Sequence, residues 1–250
     1  MPVKTFRVLT WRCFWRILMK IDILSAVPAL LESPLSHSIV GRAQERGVVE
    51  VQTHGLHEYS ADKHKKVDDI PYGGGAGMVL TPQPIFDAVE SITQQGSGST
   101  PLVLYTSPQG IPFDQDEATK LSLESHLIIL CGHYKGVDQR VRDNLIDKEY
   151  SFGDVVYSGG ELPALCIVDA VVRLLPNAMN DIDSALTDSF QEGLLEGPVY
   201  TRPASFQGHE VPDVLRSGDH ERIRQWKKEQ AEELTKRVRP DLFEKYQSKP

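Results

Sequence analysis

From Met19 to about residue 176 the chain alternates between short apolar runs and longer stretches with apolar residues at helical spacing. Residues 21–24 are apolar enough for a buried strand, and residues 48–51 form a second, β-branched one. Between them, residues 35–46 carry helix-compatible spacing and stop at Gly47, a helix-ending residue. Further strands are predicted at 102–105, 127–131 and 149–152. Helices are predicted at 85–95, opened by Pro82 and Pro84 in the first turn, and at 115–123, 137–146 and 162–175, the last stopping at Pro176. Alternation of this kind implies a parallel sheet covered by helices, an α/β fold. Residues 59–80 are polar and then glycine-rich and read as a long loop; such loops in compact domains are functional or disordered. Gly96-Ser97-Gly98-Ser99 is a flexible connector.

Beyond the last apolar helix, residues 177–187 are polar and small, as in a linker, and a smaller region comes after them. There Ser217-Gly218-Asp219 precedes a helical pattern through Ile223, Trp226, Gln230 and Leu234, with Asp219 as its N-cap. At the other end, residues 1–18 hold Lys4, Arg7, Arg12 and Arg16, no acid, and the bulky Phe6, Trp11, Phe14 and Trp15. A basic, acid-free leader can be a targeting peptide, but this one lacks a clean apolar core and a small-residue cleavage site. We read Met19 as the start and residues 1–18 as a disordered extension.

Composition narrows the picture. The hydrophobic share of 40% and charged share of 25% are ordinary for a globular protein. No stretch approaches the roughly 20 apolar residues of a membrane helix. Cys13, Cys131 and Cys166 form no CxxC pair or metal-ligand spacing, which suits a reducing cytoplasm. A net charge of −8 argues against a protein that coats nucleic acid non-specifically. It leaves room for a local basic patch at Lys63-His64-Lys65-Lys66, or along Arg222, Arg224, Lys227, Lys228, Lys236 and Arg237; either run also reads as an ordinary solvated face.

Three constellations bear on chemistry. Pro71-Tyr72-Gly73-Gly74-Gly75-Ala76-Gly77-Met78 allows unusual backbone conformations and close ligand approach, yet lacks the GK[ST] of a P-loop. It reads equally as a surface loop. A second set comprises the loops 105–110, 131–136, 151–154 and 157–163, each at the carboxyl end of a predicted strand or just before a helix. Ligands of open α/β sheets bind at those ends, and glycines there expose backbone donors and acceptors suited to an adenine. The third is the segment 184–190 with Arg173 upstream. By themselves, Asp188 reads as an N-cap for the residues from Ser189 onward, and Arg173 as the polar end of a buried helix, complementing its dipole.

With these motifs in place the sequence closely resembles the bacterial tRNA (guanine-N1)-methyltransferase family, TrmD, of the knotted SPOUT class. The matching stretches run from Asp68 to Met78, then Ser107-Pro108-Gln109-Gly110, Gly132 to Arg140, and Ser158 to Ala164. After the linker come Asp188-Ser189-Phe190, Tyr200-Thr201-Arg202-Pro203 and Ser217-Gly218-Asp219-His220. They occur in the family's order from about Met19 to the end.

The resemblance implies a SPOUT-type α/β domain at 19–176 with a deep trefoil knot, an exception to the rule against threaded chains. A flexible linker at 177–189 and a small, mostly helical tRNA-binding domain at 190–250 would come next. It implies S-adenosylmethionine as cofactor, held by Tyr105, Thr106, Ser107 and Pro108, by Gly132 and Tyr134, by Ser151, Phe152, Gly153, Asp154, Val155, Val156 and Tyr157, and by Gly159, Gly160 and Pro163. It implies a cytoplasmic homodimer with active sites at the subunit interface, and methylation of the guanosine at position 37 of tRNA, just 3′ of the anticodon. Guanine N1 must lose its proton before it can attack, which calls for a general base; the matched residue is Asp188. The charge that develops on O6 calls for a fixed cation; the matched residue is Arg173. The base would flip out of its stack to be reached.

Many family members carry arginine and glutamate where this chain has His133 and Lys135. The resemblance gives the glutamate a contact with the cofactor's methionyl end or an associated metal. Lys135 reverses that charge, so neither Lys135 as a ligand nor a tightly bound metal is expected. Two other classes remain alternatives: a phosphotransferase built around the 73–77 loop, for which no lysine-bearing phosphate motif is found, and a non-catalytic RNA-binding protein on the same fold.

Overall fold

The computed structural model describes residues 19–95, 100–179, 188–190 and 193–248. The basic extension, the Gly96–Ser99 connector and most of the linker therefore lie outside the described residues. The chain divides into two compact units, Met1–Asn180 and Asp181–Pro250.

The first unit is built on a five-stranded, wholly parallel sheet. In chain order its strands are β1 (Met19–Ser25), β2 (Val49–Gly55), β5 (Leu102–Pro112), β6 (His126–Cys131) and β7 (Lys148–Ser151), and they lie side by side as β2-β1-β6-β5-β7. Two short strands, β3 (Asp68–Asp69) and β4 (Val79–Leu80), pair with each other outside it. The central strand β6 is buried at every position, which is why it reads as an unbroken apolar run rather than an alternating one.

Helices cover both faces. On one face α1 (Ala29–Leu35), α2 (Ser38–Glu45) and α6 (Glu161–Val172) bury Leu31, Val40, Ile167 and Val171 against Ile21, Ile23, Leu127 and Ile129. On the other, α3 (Pro82–Gln95) and α5 (Gln139–Leu145) bury Ile85, Ile92 and Val141 against Leu24, Val103, Ile128 and Leu130. Alternating residues of one strand thus feed two separate cores. The remaining helix, α4 (Gln115–Leu121), is capped by Asp114, whose carboxylate accepts from Glu117 N–H.

The predicted helix at 35–46 needs correction. The chain turns at Ser36 and His37, and α2 starts only at Ser38, whose φ is +58°. The turn is tight enough that a Cβ on Gly41 would sit 2.6 Å from the Ser36 carbonyl oxygen. A separate helix, α1, precedes it and contains Pro34. The predicted helix at 137–146 starts later too, at Gln139, because the Asp138 carboxylate accepts from Arg140 N–H and caps it there. The loop at 59–80 is anchored to the sheet's carboxyl end: Leu80 N–H donates to Gly136 C=O, Asp138 N–H to Leu80 C=O, and Lys135 N–H to Met78 C=O.

In the second unit a short hairpin, β8 (Ser205–Phe206) and β9 (His209–Glu210), leads to α7 (Asp213–Arg216), α8 (His220–Val238) and α9 (Pro240–Gln247). Asp219 caps α8 as its sequence predicts, accepting from Glu221 and Arg222 N–H. Thr235 is buried and its hydroxyl accepts from Leu195 N–H, tying the incoming chain to α8.

Candidate active site

The four strand-end loops predicted from sequence converge at the carboxyl edge of the sheet around one cleft of about 520 Å³, within the usual size of a small-ligand site. Tyr105, Thr106, Ser107 and Pro108 line it from β5. Gly132 and Tyr134 do so from the loop after β6, and Ser151, Phe152, Val155, Val156, Tyr157, Gly159, Gly160 and Pro163 from the segment between β7 and α6. Gly153 and Asp154 belong to the same segment but stand outside the lining, exposed at a turn where Val155 N–H donates to Gly153 C=O.

Close backbone approach explains the glycines. A Cβ on Gly160 would overlap Thr106 Oγ1 and sit 2.6 Å from Gly132 N; a Cβ on Gly132 would sit 3.0 Å from the Tyr105 hydroxyl. Gly160 N–H donates to Gly132 C=O at 2.7 Å, and Thr106 Oγ1 donates to Gly160 C=O at 3.2 Å. Three loops are thereby laced together at Gly160, by one main-chain bond to Gly132 and one from the Thr106 hydroxyl.

β5 overruns its neighbours. After pairing through Thr106 it bulges and pairs with β7 again at Ile111, pressing so close that a Cβ on Gly110 would lie 2.5 Å from Tyr150 N. The bulge carries Ser107 and Gln109 into the cleft. Glu149 accepts from Ser107 Oγ and, at 2.9 and 3.1 Å, from Arg142, which also donates to Gln109 Oε1. Burial pushes the Tyr105 phenol up to about 12, and Glu149 adds to this while Arg142 and the Val137 backbone act against it. Tyr105 is therefore a neutral wall at physiological pH.

Among the lining residues, the cofactor set implied by the resemblance left out Gln109, His133, Gln139 and Arg142, and it left out the buried Glu161; a polar residue on a bulge or a helix carries no mark in sequence of facing inward. The glycine-rich 73–77 loop stands outside the lining. Gly73, Gly74 and Gly75 have positive φ and open space around them, so glycine serves backbone conformation there; only Gly77 is packed, against the Lys135 side chain.

The two proposed catalytic residues fall in different units. Arg173, half-buried, ends α6, its N–H donating to Asp169 C=O at 3.2 Å. Asp188, also half-buried, stands in a turn beside Ser189, whose hydroxyl accepts from Glu196 N–H at 2.9 Å. The N-cap reading of Asp188 is corrected: among the described residues no helix comes after it before α7.

The family model described as tRNA (guanine-1)-methyltransferase TrmD matches residues 19–245. A tRNA (guanine-N(1)-)-methyltransferase of Halalkalibacterium halodurans is 54% identical over 226 residues, covering 90% of this chain and 92% of its own length. One from Azobacteroides pseudotrichonymphae is 52% identical over 224 residues, 90% of this chain and 100% of its own. Another from Chlorobaculum tepidum is 48% identical over 231 residues, 92% of this chain and 100% of its own.

Proposed function

The chain belongs to the tRNA (guanine-1)-methyltransferase family TrmD, and on that premise we propose that it methylates N1 of guanosine 37 in tRNA with S-adenosylmethionine as donor. The observation that carries the reading is the cleft at the carboxyl edge of the sheet, walled by backbone at Gly132, Gly159 and Gly160 and by the rings of Tyr105, Phe152 and Tyr157. Exposed main-chain groups read an adenine edge, and rings and Pro163 flank its faces. When bound, the donor supplies a methyl already activated on a sulfonium.

The chain's own residues then have two tasks. Asp188 takes the N1 proton of guanine, and Arg173 holds the negative charge that collects on O6. Positioning falls to the laced loops.

The loops also support the trefoil knot. The segment after β7 is held to the ends of β5 and β6, with Gly160 bonded to both Thr106 and Gly132 while Phe113 N–H donates to Ser151 C=O. A homodimer is supported by α6, which buries one face in the core yet shows Leu162, 55% exposed, and Cys166 on the other. That exposed face also carries Asp169, so the proposed contact is an apolar one at Leu162 with a polar rim. Among the described residues no helix is long and apolar enough to cross a membrane. The free thiols Cys131 and Cys166 suit a reducing cytoplasm.

The test is nucleoside mass spectrometry of unmodified tRNA incubated with the protein and S-adenosylmethionine. The expected result is 1-methylguanosine at position 37, absent from a transcript with adenosine there. Unmodified tRNA, or methylation elsewhere, would overturn the assignment.

A further inference from the structure

A buried polar atom at the cleft lacks a partner, and a buried carboxylate approaches it across one glycine. His133 lines the cleft, yet its Nδ1 is sealed from solvent with no hydrogen-bond partner; it is the one buried side-chain polar atom in that state among the described residues. Glu161, on the first turn of α6, is 1% exposed. Its Oε1 accepts from Ser25 Oγ at 2.7 Å, a neutral donor and weak compensation for a buried carboxylate. A Cβ on Gly159 would overlap Glu161 Oε2 and sit 2.8 Å from His133 Nδ1, and His133 and Gly159 are themselves bridged backbone to backbone. Only a residue without a side chain at 159 lets the carboxylate face the ring.

We propose that, when the methyl donor binds, Glu161 closes on His133 as a positioning residue that takes its Nδ1–H, a bond not made in this structure, and that His133 Nε2, left with its lone pair toward the cleft, accepts a hydrogen bond from an N–H or O–H of the donor. A carboxylate on one ring nitrogen fixes the tautomer and aim of the other. Ser25, at the end of β1, completes the chain by holding the carboxylate's far oxygen; its own oxygen also accepts from Val27 N–H at 2.8 Å and is held in turn. The proposal rests on the cleft being the donor site.

The experiment uses the full chain with ¹⁵N-labelled histidine. In the S-adenosylmethionine complex the His133 nitrogen shifts are expected to report Nδ1–H and a bare Nε2; the opposite tautomer overturns the proposal without any substitution. Calorimetry adds a second arm. His133→Phe keeps the packing but removes both nitrogens and is expected to weaken donor binding about tenfold, the scale of one hydrogen bond. His133→Gln, whose amide reaches the Nε2 position, restores binding to within about threefold of the parent; His133→Asn, which reaches only Nδ1, does not. Equal affinity across these variants overturns the proposal alone, whereas a parent protein that takes up no donor overturns the functional reading instead. Methylthioadenosine, which lacks the amino-acid end, locates the contact. A His133→Phe loss seen with both ligands places it on the nucleoside, and a loss confined to S-adenosylmethionine places it on the ammonium.

Discussion

Gly160 occupies the space that any side chain would contest with Thr106: its carbonyl accepts from the Thr106 hydroxyl, and the Cβ it lacks would overlap that same oxygen. Gly160→Ala therefore forces apart the loops after β5 and β6. Overpacking of this kind costs about 1–3 kcal/mol, and the thermal midpoint should fall by several degrees. Because the displaced groups wall the cleft, affinity for S-adenosylmethionine is expected to fall at least tenfold by calorimetry. An alanine variant that binds the donor like the parent shows that the lacing does not shape the site.

Asp188→Asn removes the proposed proton acceptor and keeps its shape. Turnover on tRNA is expected to drop by about 10²-fold or more while donor affinity is unchanged. Arg173→Lys keeps a charge but loses the planar fork, and a loss of about 3 kcal/mol in transition-state stabilisation is expected. Single-turnover kinetics checks both, and near-normal rates for either variant remove that residue from its role.

Asp22 gives the stability of the first unit a pH dependence. Its side chain is fully buried and accepts from His126 at 2.7 Å, from His54 at 2.6 Å and from Lys20 at 3.1 Å. Burial alone would push its carboxyl up, but these three partners together hold it well below the usual carboxylate range. The unfolded chain then takes up the proton more readily than the folded one. The stabilisation is complete above the unfolded carboxyl's value of about 3.9 and is lost as pH falls below it. Thermal melts between pH 7 and pH 3 should show a falling midpoint at the acid end. Asp22→Asn should flatten that acid limb and cost about 3 kcal/mol at pH 7 through its stranded partners. An unchanged acid limb in the variant removes Asp22 as its source.

Leu162 tests the proposed dimer. It stands on the uncovered side of α6, beside Cys166. Leu162→Arg should leave the fold intact by circular dichroism and shift the protein from dimer to monomer in sedimentation, with loss of tRNA methylation. A dimeric variant places the interface elsewhere.

The sheet is legible in the sequence because its strands are buried on both faces, and the runs at 102–105 and 127–131 announce this without alternation. β2 shows only its start there: it continues through Gln52, Thr53 and His54 at the sheet's edge, where Gln52 and Thr53 face solvent, His54 turns to Asp22, and the apolar signal ends. The break between α1 and α2 is hidden because Ser38, with no glycine's excuse, adopts a left-handed φ, so the helical spacing runs on through a turn. The cleft's glycines are visible as motifs, but what they touch is not. That Gly160 faces Thr106 and Gly159 faces His133 comes from the crossing of segments distant in the chain. For the same reason Arg142 and Glu149, ordinary surface charges in sequence, carry no sign of being the pair that fastens the bulge of β5.

The bond from Ser25 to Glu161 spans 136 positions, and this bears on how the protein is made. On the ribosome, the first strand emerges long before the helix that must answer it. The cleft therefore stays unfinished until most of the first unit has left the exit tunnel, and a nascent fragment ending before that helix lacks part of its wall. Contacts between partners so far apart in the chain form slowly, so within the first unit the cleft is completed late.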